Sequence, residues 1–149
     1  MMARMIDLAT KFAESKTYVP VLTVMVDYGN APFLWRVDAP EEAGVGGNIC
    51  DGTGWDDGCL MSEGLWRKFA DWAIEFDQTS FYLEDFDASG WDWMAFHARG
   101  LQLTRWLKEE VGDAYRVVYF KPCEDPNHRI DERTEVLFDG TLLPLPPFH

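Results

Sequence analysis

Apolar residues recur at intervals of three and four in three segments of the chain, and each segment predicts an amphipathic helix. The first is a short N-terminal helix over residues 1–15. The second begins with Ser62 as its N-cap and runs to about Asp77, and the third begins at Ser89 and ends at Gly112. The apolar stripes comprise Met5, Leu8 and Phe12 in the first helix; Leu65, Phe69, Trp72 and Phe76 in the second; and Trp93, Phe96, Gly100, Leu103, Leu107 and Val111 in the third.

Short apolar runs outside these helices predict strands. Residues 19–26 and 33–37 flank a turn rich in glycine, asparagine and proline, which predicts a hairpin. Residues 115–120 predict a further strand, and residues 135–138 and 141–145 predict a closing hairpin around an Asp-Gly turn.

The order of these elements predicts one α+β domain over residues 1–149. Its sheet is mainly antiparallel, with two central amphipathic helices and a short N-terminal helix, because strands and helices are segregated and do not alternate. Residues 38–61 are rich in glycine and show little periodicity, so they predict a long loop. Gly100 lies on an apolar stripe, where the missing side chain would let another element approach closely.

The charge balance narrows the classes of partner. The chain carries 26 Asp and Glu against 13 Lys and Arg, a net charge of -13. Nucleic acid and anionic membranes would be repelled, whereas a basic protein such as a nuclease would be attracted. The alternative is that the acidity serves solubility alone.

Composition also predicts where the protein resides. No apolar run is long enough to span a membrane, and Arg4, Asp7 and Lys11 interrupt the start where a signal peptide would be apolar. The three cysteines are an odd count without a CxxC pair, which favours reduced thiols. A cytoplasmic location is therefore expected. The sequence predicts no oligomeric state.

Acidic and aromatic residues alternate most densely between residues 81 and 93, in the string FYLEDFDASGWDW. Aromatic side chains supply large contact areas and carboxylates pair with arginine, so this segment predicts a surface for a basic partner. A second acidic group lies in the glycine-rich loop. The predicted partner-binding residues are Phe81, Tyr82, Glu84, Asp85, Asp87, Trp91 and Asp92, together with Asp56 and Asp57. The alternative is that the aromatics fill the core and the acids are solvated.

The sequence supports metal binding or catalysis less strongly than it supports a binding surface. Asp85, Asp87 and Ser89 match the opening of an EF-hand loop, but Phe96 stands where the closing glutamate belongs, so calcium is disfavoured. The cysteines and histidines lack the close spacing of a zinc site. No catalytic residue, metal or cofactor is predicted.

His97 is expected to be hydrogen-bonded at the core boundary. Trp106 lies off the apolar stripe, so it is expected to be partly exposed, as an interface residue or under a second packing layer.

The helical segments with Trp66 and Trp91, followed by YRVVYFKP at residues 115–122 and EDP at 124–126, resemble immunity proteins of bacterial contact-dependent inhibition and polymorphic toxin systems. The resemblance covers residues 62–126 and contains no diagnostic motif. It implies a protein that binds a cognate toxin domain, commonly a basic nuclease, and covers its active site or substrate groove. No binding residue is carried over from it.

Three other functions remain open, of which the simplest is a scaffold subunit with a permanent partner. Another is a small hydrolase or transferase that uses Cys59 or His97 with acids of the glycine-rich loop. The third is an inhibitor that mimics nucleic acid, in which spaced carboxylates imitate phosphates.

Overall fold

A computed structural model describes residues 19–38, 44–50, 54–79, 88–127 and 132–146. Within these residues the chain forms six strands and two α-helices, which confirms the α+β class. The predicted N-terminal helix over residues 1–15 lies outside the described residues. The elements are β1 (Val21–Val24), β2 (Trp35–Val37), β3 (Gly47–Asn48), α1 (Glu63–Asp77), α2 (Trp93–Val111), β4 (Arg116–Phe120), β5 (Arg133–Val136) and β6 (Leu142–Leu145), with 3₁₀ turns at Asp57–Cys59, Ala88–Gly90 and Gly112–Ala114.

The strands form one sheet in the order β3-β2-β1-β4-β5-β6. Strand β1 pairs with β4 in parallel, and the other neighbouring pairs are antiparallel, so the prediction of a mainly antiparallel sheet is confirmed. A parallel pair needs a long crossover connection, and the chain between β2 and β4 supplies it with both helices. The predicted hairpins correspond to β1–β2 and β5–β6.

Helix α1 begins where its sequence predicts. The Ser62 hydroxyl accepts a hydrogen bond of 3.2 Å from the Leu65 amide, which satisfies one of the unpaired N–H groups of the first turn. The predicted stripe of Leu65, Phe69, Trp72 and Phe76 is buried. No helix among the described residues has both the length and the apolar character that crossing a membrane requires.

Helix α2 begins later than predicted. Its N-cap is Asp92, whose carboxylate accepts from the Ala95 amide at 3.0 Å, and the predicted start at Ser89 is wrong. Residues 88–90 form a 3₁₀ turn instead, because the Trp93 indole donates to the Ala88 carbonyl at 2.7 Å and holds that turn folded. The helix ends at Gly112, as predicted, with a positive φ of 62°.

Contrary to the prediction, the segment over residues 38–61 is not a loop throughout, because it contains a two-residue strand and a 3₁₀ turn. Strand β3 pairs with β2, and the Asn48 carboxamide oxygen accepts from the amides of Leu34 and Cys50 at 2.9 and 3.0 Å. Gly46, at φ 80°, lies against the Arg36 backbone, where a Cβ atom would overlap the carbonyl group. A strand of two residues shows no alternation that the sequence could reveal.

Helix α2 packs against β4 at Gly100, as the sequence predicts. A Cβ atom there would lie 2.6 Å from Trp72 Cζ2 and would also overlap the Tyr119 ring. The Trp72 indole lies between the helices, stacks on Phe96 at 4.5 Å between ring centroids and donates to the Phe96 carbonyl at 3.1 Å. This aromatic layer fixes how closely α1, α2 and the sheet approach one another.

Candidate functional site

The predicted acidic and aromatic segment is only partly described. Phe81, Tyr82, Glu84, Asp85 and Asp87 lie outside the described residues, so their role as binding residues stays a prediction. The remaining predicted positions are Trp91, Asp92, Asp56 and Asp57.

Trp91 is half-buried at the edge of the core. Its ring centroid lies 4.7 Å from that of Phe96 and 6.3 Å from that of Phe76, and it meets Trp93 edge-on at 4.8 Å. Much of its surface is therefore used for packing within the protein.

Asp92 is exposed, and its position at the N-terminus of α2 explains why an acidic residue stands there. As the N-cap it satisfies the Ala95 amide, and a carboxylate is stabilised at the positive end of a helix dipole. Its field also reaches Arg99: the pKa of that guanidinium is raised, first by its hydrogen bonds to Glu75 and further by the charge of Asp92.

Asp56 and Asp57 are exposed beside the 3₁₀ turn that precedes α1. The Asp56 carboxylate accepts from the Gly58 amide at 2.8 Å, so one of its oxygens is committed to the turn. The neighbouring Trp55 is 38% exposed and donates its indole N–H to the Met61 carbonyl at 2.7 Å. The turn therefore presents two carboxylates and an aromatic edge from a fixed backbone.

The described acids of the two groups, Asp92 on one side and Asp56 and Asp57 on the other, lie at opposite ends of α2. Ser62, which follows the 3₁₀ turn, donates its amide and hydroxyl to the Glu110 carboxylate at 2.6 and 2.8 Å, near the C-terminal end of the helix. Asp92 caps the other end of this 19-residue helix, which is about 28 Å long. An interface of ordinary size, about 800 Å² on each partner, is wide enough to reach both groups.

A groove runs between α1 and α2 and encloses about 330 Å³. The helices are antiparallel across it, because Glu75 pairs with Arg99 at one end and Lys68 contacts Trp106 at the other. The lining residues are Lys68, Asp71, Trp72 and Glu75 from α1, and Arg99, Gln102, Leu103 and Trp106 from α2. Trp72 and Leu103 are buried and form the apolar floor.

The rim of this groove carries both signs of charge. Arg99 donates two hydrogen bonds to the Glu75 carboxylate, at 2.5 and 2.7 Å, and the Lys68 ammonium lies 4.9 Å from the Trp106 ring centroid. Trp106 is 37% exposed, which confirms the partial exposure expected from its position. Asp71 is exposed and forms no salt bridge with any described residue.

His97 is the centre of a buried polar network, which confirms a hydrogen-bonded histidine near the core. Its Nδ1 lies 2.7 Å from the Tyr119 hydroxyl and its Nε2 lies 2.6 Å from Asp125 Oδ2. The other oxygen of Asp125 accepts from the Asn127 amide at 2.8 Å. A neutral ring that accepts from Tyr119 and donates to Asp125 satisfies every polar atom in this chain of contacts.

Burial sets the protonation of this network. Loss of solvation lowers the pKa of His97 below its ordinary value, although Asp125 opposes the shift. Burial alone would raise the pKa of Asp125, but hydrogen bonds from His97 and the Asn127 amide hold it below its ordinary value. The pKa of Tyr119 is raised by burial. The partners of His97 were not predictable, since they lie 22 and 28 residues away in the sequence.

The geometry does not support the catalytic alternative. Cys59 is 1% exposed and lies three residues before Ser62, which is hydrogen-bonded to Glu110 near the C-terminal end of α2, whereas His97 lies in the second turn at the other end of that helix. Both ring nitrogens of His97 are already hydrogen-bonded within the protein. Burial raises the pKa of the Cys50 thiol, which lies 4.0 Å from the Cys59 carbonyl oxygen. Among the described residues, no three His, Cys, Asp or Glu side chains are arranged to hold a metal ion.

The chain matches a known protein family. Residues 20–122 match the model of a family described as Serratia CdiI immunity protein-like. This range contains β1 to β4 and both helices, and therefore the groove and every predicted binding residue. No curated protein and no solved structure matches the chain.

Proposed function

The chain belongs to the Serratia CdiI immunity protein-like family, and we propose that it binds a cognate toxin domain and neutralises it by occluding the toxin's active site or substrate groove. The observation that carries the proposal is the family match, which spans most of the chain. We further propose that this toxin domain is a basic nuclease, and that neutralisation takes place in the bacterial cytoplasm, where such a nuclease would act.

The charge of the chain supports a basic target. A net charge of -13 raises the rate at which a cationic protein encounters the chain, because their opposite fields steer diffusion. A nuclease needs a positive surface to hold its own polyanionic substrate. A protein of this charge competes for that surface directly, since both ligands seek the same cationic side chains.

The proposed contact surface is the acidic and aromatic segment over residues 81–92. Asp92 supports this choice, because it is exposed, caps a helix N-terminus and lies at the end of the segment in sequence. Asp56 and Asp57 extend the proposed surface to the other end of α2. Trp91 contributes the part of its ring that packing leaves open.

The test uses a candidate toxin domain, namely the C-terminal domain of a secreted effector whose gene is found beside the gene of this chain. Surface plasmon resonance measures binding and nucleic-acid cleavage measures neutralisation. A stoichiometric amount of the chain should abolish cleavage, and the association rate constant should fall by at least about tenfold between 0.05 and 0.5 M salt. The single reversals Glu84→Lys, Asp85→Lys and Asp87→Lys should each slow association more than Asp113→Lys, a matched reversal of an exposed acid outside both groups.

Two results would count against the proposal at different levels. A chain that neither binds the domain nor protects against it is not its immunity protein. A chain that binds and protects, but associates at the same rate at all salt concentrations and with all three reversals, uses contacts other than the electrostatic ones proposed.

A further inference from the structure

The groove between α1 and α2 was not part of the predicted site, and the geometry points to it as an arginine-binding subsite. We propose that it receives an arginine side chain of the toxin domain, which stacks on Trp106 and pairs with Asp71. This inference rests on the proposed function, because it assigns part of the surface that the basic partner contacts.

The Trp106 ring already binds a cation within the chain. The Lys68 ammonium lies 4.9 Å from the ring centroid, within the range of cation–π attraction, and the indole is still 37% exposed. Lys68 is itself exposed, on a long flexible side chain, so it can leave the ring at little cost. An arginine guanidinium is planar and more weakly hydrated than an ammonium, and it stacks on an aromatic ring more readily.

Asp71 supplies the anionic partner. It lies three residues after Lys68 and four before Glu75, so the three side chains share one face of α1 along the groove. Glu75 is occupied by two hydrogen bonds from Arg99, whereas Asp71 has no salt bridge among the described residues. An incoming guanidinium that displaces Lys68 therefore finds an open carboxylate one turn along, and a carboxylate can accept two parallel N–H bonds from arginine.

The apolar floor suits the aliphatic part of the same side chain. Trp72 and Leu103 are buried beneath the groove at 5% and 4% exposure, and the groove volume of about 330 Å³ is at the lower end of typical ligand pockets. Contacts that combine an arginine, an aromatic ring and excluded water are typical of residues that dominate binding energy.

The groove also adjoins the proposed contact surface. Arg99 lies at the end of the groove that is nearer the N-terminus of α2, two turns from Asp92 on the same helix. The charge of Asp92 contributes to raising the pKa of Arg99. A basic protein that contacts Asp92 can therefore place a neighbouring side chain in the groove.

The experiment measures the dissociation constant of the complex with the same effector domain. Trp106→Ala should weaken binding by at least about tenfold, as expected for a central aromatic residue. Asp71→Asn should weaken it by about three- to tenfold through the lost ion pair. Lys68→Gln should tighten binding, because it frees the ring and removes a competing cation. Phe138→Ala and Asp113→Asn are the matched controls, an exposed aromatic and an exposed acid away from the groove, and should bind like the wild type.

The outcomes separate this inference from the proposed function. If the wild type binds and protects but Trp106→Ala and Asp71→Asn bind equally well, the groove is not the subsite and the proposed function stands. If Lys68→Gln weakens binding, Lys68 contacts the partner itself and displacement by arginine is wrong. If the wild type does not bind, both proposals fail. Circular dichroism of each variant checks the fold, and Asp71→Asn, an exposed substitution, keeps the test valid even if Trp106→Ala is unstable.

Discussion

Replacing Gly100 with alanine should destabilise the protein, although alanine is the better helix former. The new Cβ atom would lie 2.6 Å from Trp72 Cζ2 and would overlap Tyr119, and no real Cβ atom tolerates such contacts. Both rings are buried, at 5% and 2% exposure, and both are tied by hydrogen bonds, Trp72 to the Phe96 carbonyl and Tyr119 to His97. Neither ring can move aside without losing a buried partner.

The size of the effect follows from two opposing contributions. Forcing an extra carbon into a packed core costs about 1–3 kcal/mol, and two rigid neighbours place this site at the upper end. Alanine recovers up to about 1 kcal/mol through its higher helix propensity. The expected net loss is about 2 kcal/mol, which lowers the urea midpoint by about 1 M at a typical slope of about 2 kcal/mol/M.

Urea unfolding followed by tryptophan fluorescence measures this loss, and Gly64→Ala provides a matched control. Gly64 lies in α1, and a Cβ atom there meets no atom within 4 Å, so alanine should leave stability unchanged or raise it by up to about 1 kcal/mol. If Gly100→Ala is as stable as the wild type, or gains stability as Gly64→Ala does, the close contact between α2, Trp72 and Tyr119 is wrong.

Two further substitutions test individual side chains. Burial lowers the pKa of His97 below its ordinary value of 6.5, so just below pH 6.5 the unfolded chain binds more protons than the folded chain. The contribution of His97 to the free energy of unfolding is therefore fully present above pH 6.5. It should fall as the pH decreases, by at most about 1.4 kcal/mol per pH unit. Urea titrations at several pH values should show a smaller decline for His97→Gln, and an unchanged decline would assign it to other groups. Asp92→Asn keeps the cap and should retain stability while slowing association with the toxin domain, whereas Asp92→Ala should also lose about 1 kcal/mol of unfolding free energy; equal stability of the two variants would exclude the capping role.

The helices were predictable because each carries a repeating pattern of apolar residues, and the longer strands because each is an apolar run next to turn residues. The three- and four-residue spacing of apolar residues and the capping residues together located α1 and the C-terminal end of α2. A helix that buries one face carries its apolar residues at this spacing. The start of α2 was predicted wrongly because Ser89 and Asp92 are both good caps, and the choice between them depends on the Trp93 indole, which holds the preceding turn. Strand β3 has two residues and depends on Asn48, so no pattern could reveal it.

The groove could be predicted only in part. The position of Trp106 beside the apolar stripe indicated partial exposure, and the structure confirms it. That Lys68 would meet this ring, and Glu75 would meet Arg99, depends on which faces of two helices are in contact, and helical periodicity gives each face but not their pairing. The buried network of His97 was unpredictable for the same reason, because its partners lie 22 and 28 residues away in the sequence.

Helix α2 keeps its structural and its proposed binding residues on different faces. Thr104, which donates to the Gly100 carbonyl, and Gly100 itself are buried, whereas Arg99 and Trp106 line the open groove. Because adjacent helical positions differ by about 100° in direction, substitutions at the exposed groove position Arg99 change the contact surface with little effect on the core. An immunity protein that must match one particular toxin gains from this separation, since binding specificity can change while the packing that maintains the fold does not. Asp92 is the exception, because one carboxylate both caps the helix and belongs to the proposed surface.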